Sequence, residues 1–175
     1  SSQLFRGATT GTLMRHDAYR FLRLGTHIER ADNTLRLLDS RYEMLGDKTA
    51  SLTEGSAYAY YQWTALLRAL SASEAYTELY RDAPGVEQVS ELLILRDDLP
   101  RSLRCCLDEI NQILANLPGN TGRPAQRLAA ELGARLRFTS VDDIMSEGLH
   151  VWLSDCIEVV GKLADAIQTS YLEVA

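Results

Sequence analysis

HDAYRFLRLGTHIERADNTLRLLDSRYEML, residues 16–45, is the stretch that decides the fold. Phe21, Leu24, Ile28, Ala31, Leu35, Leu38, Tyr42 and Leu45 follow one another at alternating three- and four-residue steps. That spacing gathers them on one stripe of an α-helix. No Pro interrupts the run, and Gly25 is its weakest helix former.

The polar residues of this helix are sorted by the same geometry. At about 100° per residue, Arg20, Arg23, His27, Arg30 and Thr34 line one flank of the stripe. Glu29, Asp32, Asn33, Arg36 and Asp39 line the other. Asp32 and Arg36 are spaced to pair at i,i+4. Glu29 and Arg30, adjacent in sequence, diverge around the axis and are expected to pair each with a different helix. Composition alone favours ordinary solvated charges here. The position of Arg23, Glu29, Arg30 and Arg36 beside the helix seams favours contacts with neighbouring helices.

Outward from this helix, the pattern stays helical. Gly46 is expected to close it, followed by a polar linker. A second helix is predicted from about Ser56 to Arg81, with Trp63, Leu66, Leu67, Leu70, Tyr76 and Leu79 on its stripe. Tyr58, Tyr60 and Tyr61 crowd its start, suiting helix packing with hydroxyls at the rim. Pro84-Gly85 restarts the chain into a short helix ending near Leu95. Asp98-Leu99-Pro100 reads as a cap with Pro in the first turn of the next helix. A loop over residues 118–122 leads to a helix from about Pro124 to Phe138. Ser140 then caps a long final helix, with Asp142 and Asp143 favourably placed at its positive end. No segment alternates as a strand does, so the sequence predicts an all-α bundle of about six helices in a single domain, 1–175.

Composition narrows the function. The formal net charge of −6 argues against a general nucleic-acid binder. Charge is uneven: residues 1–48 hold eight Lys and Arg against six Asp and Glu, and the remainder ten against eighteen. Sixteen of the eighteen basic residues are Arg, the side chain suited to bidentate carboxylate pairing. The longest aliphatic cluster, Leu92 to Leu95, is far too short to cross a bilayer. Three cysteines, with Cys105 and Cys106 adjacent, form neither a disulfide framework nor a zinc spacing, and fit a reducing, cytoplasmic setting.

Chemistry must come from scattered side chains, since no phosphate loop, nucleophile elbow or HExxH helix is present. Glu147-Gly148-Leu149-His150 is an ExxH, the unit that holds di-metal centres in ferritin-like bundles, but such centres need two and one is present. A mononuclear site from Glu29, Asp32 and His150 is a further option, weighed against a buried or half-buried His150 with one hydrogen-bond partner. The sequence predicts no metal or other cofactor in protein purified without added metal. Cys156 cannot meet His150, six residues earlier on a different helix face. Arg20, Arg23, Arg30 and the Arg101–Arg104 segment suit an acidic ligand or structural pairing with the acidic second half.

RFLRLGTHIERADNTLRLLDSRY (20–42) resembles the signature helix of the Alpha-E family, a helical domain named for an ER dipeptide, here Glu29-Arg30. The resemblance continues in YYQWTALLRALSASEAYTELYR (60–81), in LPRSLRCCL from Leu99 and in LRFTSVDDIMSEGLHVWLSD from Leu136. Members of the family usually carry another ER-type helix upstream. That absence, with Ser1 in place of an initiator Met, suggests the C-terminal part of a longer protein. An exposed face left by the missing helix would favour a homodimer through the 16–45 helix or through Leu4, Phe5 and Leu13. The resemblance implies an accessory module that positions a peptide substrate or partner for an ATP-grasp-type peptide ligase or a transglutaminase-like protein. The alternative is an enzyme using Glu29, Arg30, Arg101 and His150 for acid–base or metal-assisted chemistry, with Arg23 and Arg36 as further candidates.

Overall fold

The computed structural model describes residues 15–49, 57–117, 119 and 122–171, with 15, 16 and 46–49 described by backbone alone. Leu4, Phe5, Leu13 and most of the two polar linkers therefore lie outside the described residues. Among those described are eight α-helices and no strand. The long first helix, α1, spans Arg15–Thr49 and runs on through Gly46, past the end its sequence suggests. Then follow α2 (Ala57–Ala69), α3 (Ser73–Leu79) and α4 (Val86–Ser90), which continues into a π turn over Glu91–Leu95. The chain continues with α5 (Leu103–Ala115), α6 (Arg123–Phe138), α7 (Val141–Glu147) and α8 (Leu149–Tyr171).

Four of these helices close a ring. α1 packs against α5 on one side and α8 on the other, and α6 packs against both, diagonal to α1. The predicted stripe of α1 points inward: Leu24, Ala31, Leu35 and Leu38 are fully buried, and Tyr42 is half-buried. Leu107 and Ile110 of α5, Ala129 of α6 and Trp152, Cys156 and Leu163 of α8 meet them in the core. Each of these buried Leu and Ile side chains stabilises the fold by about 1.5–3 kcal/mol. α2 covers part of α1, and the π turn lies against α5 and α6.

Eight helices replace the six expected because the core is reached from new angles at two breaks. Leu70 and Ala72 are both buried, although a straight helix would set them about 200° apart. The helix breaks at Ser71, in the left-handed region at φ 54°, and the predicted helix over 56–81 becomes α2 and α3. Likewise, Gly148 at φ 100° divides the predicted final helix into α7 and α8, so that both Ile144 and Leu149 are buried. In the π turn, the consecutive residues Leu92, Leu93 and Ile94 are all fully buried, because helices pack around the segment.

Caps fix the starts of α5 and α7. Ser140 caps α7, as the sequence suggests, and Asp143 completes a reciprocal capping box with it. At α5 the cap is Ser102 rather than Asp98: its hydroxyl accepts from the Cys105 amide at 3.0 Å and donates to the Arg96 carbonyl. Asp98 instead takes the Arg96 guanidinium at 2.6 and 2.8 Å. Ser102 is wholly buried, so its loss strands two backbone groups. Ser102→Ala is expected to cost about 1–2 kcal/mol, read as a lower urea midpoint at unchanged slope.

Candidate functional site

The polar flanks of α1 form two separate clusters. Towards α5, side chains meet in an antiparallel ladder in which numbers rise on α1 as they fall on α5. Arg20 donates to the Asn116 carbonyl at 3.1 Å, and Arg23 donates to Glu109 at 2.7 Å. His27 Nε2 lies 3.9 Å from the same Glu109 oxygen, and Thr34, 1% exposed, donates to the Arg101 carbonyl at 2.8 Å. The predicted flank is thus the α1–α5 seam. Arg30 sits within it, half-buried, with no hydrogen bond or ion pair to a described residue; its charge acts on His27, Cys105 and Cys106. The Arg101 guanidinium also lacks a described partner, although its field reaches Cys106.

Burial sets the protonation of this seam. It lowers the pKa of His27, against the pull of Glu109 and with the help of Arg30 and Arg23. His27 Nδ1 is buried without a hydrogen-bond partner among the described residues. Burial also raises Cys105, and pushes Cys106 and Cys156 up to about 12. The thiols stay protonated near neutrality, so the seam offers no thiolate nucleophile.

Glu29 corrects an expectation. It is exposed and makes no hydrogen bond or ion pair with any described residue, so among the described residues the ER dipeptide does not tie two helices together by pairing. The reason is its angular position. Leu22, Thr26, Glu29, Asn33, Arg36 and Ser40 are all exposed at three- and four-residue steps, and form the outer face of α1. Arg36 is held on that face by Asp32, at 2.9 and 3.0 Å, as its spacing predicts.

Towards α8 lies the second cluster. His150 Nδ1 is 2.7 Å from Asp39 Oδ1 and 3.3 Å from Glu43 Oε1. The hydrogen bond and charge of Asp39 raise the His150 pKa. Glu147 takes no part in it. The break at Gly148 puts Glu147 and His150 on different helices, so the ExxH never acts as a helical pair. Glu147 lies 3.9 Å from Arg135, which also pairs with Asp155 and sits over the Trp152 ring. Glu29 and Asp39 are separated by ten residues, about 15 Å along α1, so Glu29 and its neighbour Arg30 do not converge with His150; Arg101, whose carbonyl accepts from Thr34, lies on the α5 side. Sequence reasoning found His150 but not its partners. The i,i+4 carboxylates Asp39 and Glu43 were the available signal.

An open cleft elsewhere includes Tyr60 of the predicted tyrosine cluster. Tyr60, Thr64, Tyr76, Tyr80 and Pro84 line it, and Tyr80 donates to Glu91 at 2.6 Å. Tyr58 packs on the core as expected, whereas Tyr60 and Tyr61 are exposed.

The lowered pKa of His27 has a direct pH signature. A base whose folded pKa lies below its unfolded value, near 6.5, contributes full stability above that value. Its contribution declines as pH falls from there towards the folded pKa. NMR titration is expected to place His27 below 6.5, and His27→Gln to flatten the acid-side fall in stability.

No curated protein and no solved structure matches the chain. A family model described as a predicted alpha-helical domain with a conserved ER motif matches residues 1–172. Glu29-Arg30 is the only Glu–Arg dipeptide in the sequence, and it lies midway along the longest helix. The chain belongs to the Alpha-E family.

Proposed function

We propose that this domain is a helical accessory module that presents the outer face of α1 to a partner and so positions a peptide substrate. The observation that carries this reading is the exposure of Glu29, half of the family's ER motif, without a partner among the described residues. A charge that supports no described contact within the fold is free to recognise something outside it. The face extends well beyond Glu29. From Tyr19 to Met44 it covers about 38 Å of helix, polar in the middle and apolar at the two ends.

The partner class follows from the family resemblance: an ATP-grasp-type peptide ligase, or a transglutaminase-like protein, in a cytoplasmic pathway of peptide synthesis or modification. Among the described residues no helix is long and apolar enough to cross a membrane. The enzymatic alternative is the weaker reading, because His150 is engaged by Asp39, about 15 Å from Glu29 along α1.

Copurification tests the proposal. The tagged full-length protein is expected to retain a ligase of this class, and Glu29→Arg to release it. Glu29→Ala and Glu29→Arg should each change stability by less than about 0.5 kcal/mol, as at an ordinary surface site. Retention of the ligase by the charge-reversed variant would sink the proposal. In the isolated chain, a second copy is expected to take the same face. Sedimentation should then show a concentration-dependent dimer that Glu29→Arg alters, and a strict monomer at high concentration would exclude it.

A further inference from the structure

We infer that Asp39, Glu43 and His150 form an exchangeable binding site for a first-row divalent cation of the zinc type, strapping α1 to α8. This inference is independent of the docking role proposed for the outer face of α1. Three ligand atoms, one nitrogen and two carboxylate oxygens, all lie within 4.8 Å of one another. The spacings suit a single ion. With metal–ligand bonds of about 2.0–2.1 Å, neighbouring ligand atoms sit about 2.9 Å apart in an octahedron and about 3.4 Å apart in a tetrahedron. His150 Nδ1 lies 2.7 Å from the Asp39 oxygen and 3.3 Å from the Glu43 oxygen. An ion inserted among these atoms needs side-chain adjustments rather than backbone movement.

Charge points the same way. Neither Asp39 nor Glu43 pairs with an Arg or Lys among the described residues, so only His150 opposes them. A dication on two carboxylates and a neutral imidazole leaves the site electrically balanced. The donor set selects the ion: imidazole favours zinc and its first-row neighbours over magnesium and calcium, which prefer oxygen alone.

The scaffold is rigid on one side and open on the other. Asp39 and Glu43 stand one turn apart on α1, and the Asp39 side chain is only 18% exposed. His150 enters from the first turn of α8, directed there by the break at Gly148. With half of the His150 side chain exposed, solvent reaches the remaining coordination positions and exchange is rapid.

Calorimetric titration of the full chain with zinc chloride tests this. One equivalent is expected to bind and to raise the melting temperature by several degrees at saturation. Asp39→Asn, Glu43→Gln and His150→Ala should each weaken binding at least tenfold while circular dichroism stays unchanged. Glu43 is exposed, so Glu43→Gln keeps the test decisive if a change at Asp39 perturbs the helix. Failure to see saturable binding, unaltered affinity in His150→Ala, or equal affinity for magnesium chloride would each overturn the inference.

Discussion

A 35-residue helix that buries one stripe leaves two polar edges at the margin of the core, and both edges must be satisfied. On the α5 side a ladder does this for Arg20, Arg23 and Thr34, the last donating to the Arg101 carbonyl, but not for Arg30 or for Nδ1 of His27 among the described residues. On the α8 side it is done by Asp39 and His150. These contacts contribute less than the apolar stripe does, but they are directional. Leucines tolerate small slips between helices, whereas a buried hydroxyl with one acceptor does not. The ring of α1, α5, α6 and α8 thus takes its stability from the stripe and its register from the edges.

The interior of the α5 edge is deliberately short of charge balance. Arg23 is neutralised by Glu109, but Arg30 is not neutralised by any described carboxylate. Burial and these two cations keep His27 neutral. The seam therefore holds the Arg30 cation without a counter-ion among the described residues. It also lies beside the outer face that carries Glu29, so the two residues of the ER motif offer opposite charges to different surroundings.

Most of the fold was legible because helix periodicity is local. The stripe from Phe21 to Leu45, the i,i+4 pair of Asp32 and Arg36, and the Ser140 cap all depend on residues within a turn or two. The breaks at Ser71 and Gly148 were not legible, because each is set by where the rest of the core lies. Ser71 is no turn signal by itself; the helix breaks there as Leu70 and Ala72 are both buried. The same limit applies to the polar clusters. Arg20, Arg23, His27, Arg30 and Thr34 could be assigned to one flank, yet nothing local said that Glu109 would face them. Glu29 departs from its expected pairing for a related reason: a position beside a seam differs from the open ridge by less than half a turn. His150 was picked out through Glu147, whereas its contacts come from more than a hundred residues away.

The short helix α3 has an uneven share of the core. Of its seven residues only Tyr76 is buried, and it joins α2 through a non-glycine residue held in the left-handed region. Amide protection should accordingly be graded, with α3 exchanging by local opening while the amides of α1 wait for the whole ring to come apart. One wall of the aromatic cleft belongs to α3, so the cleft can widen and close at a small fraction of the free energy that holds the four long helices together.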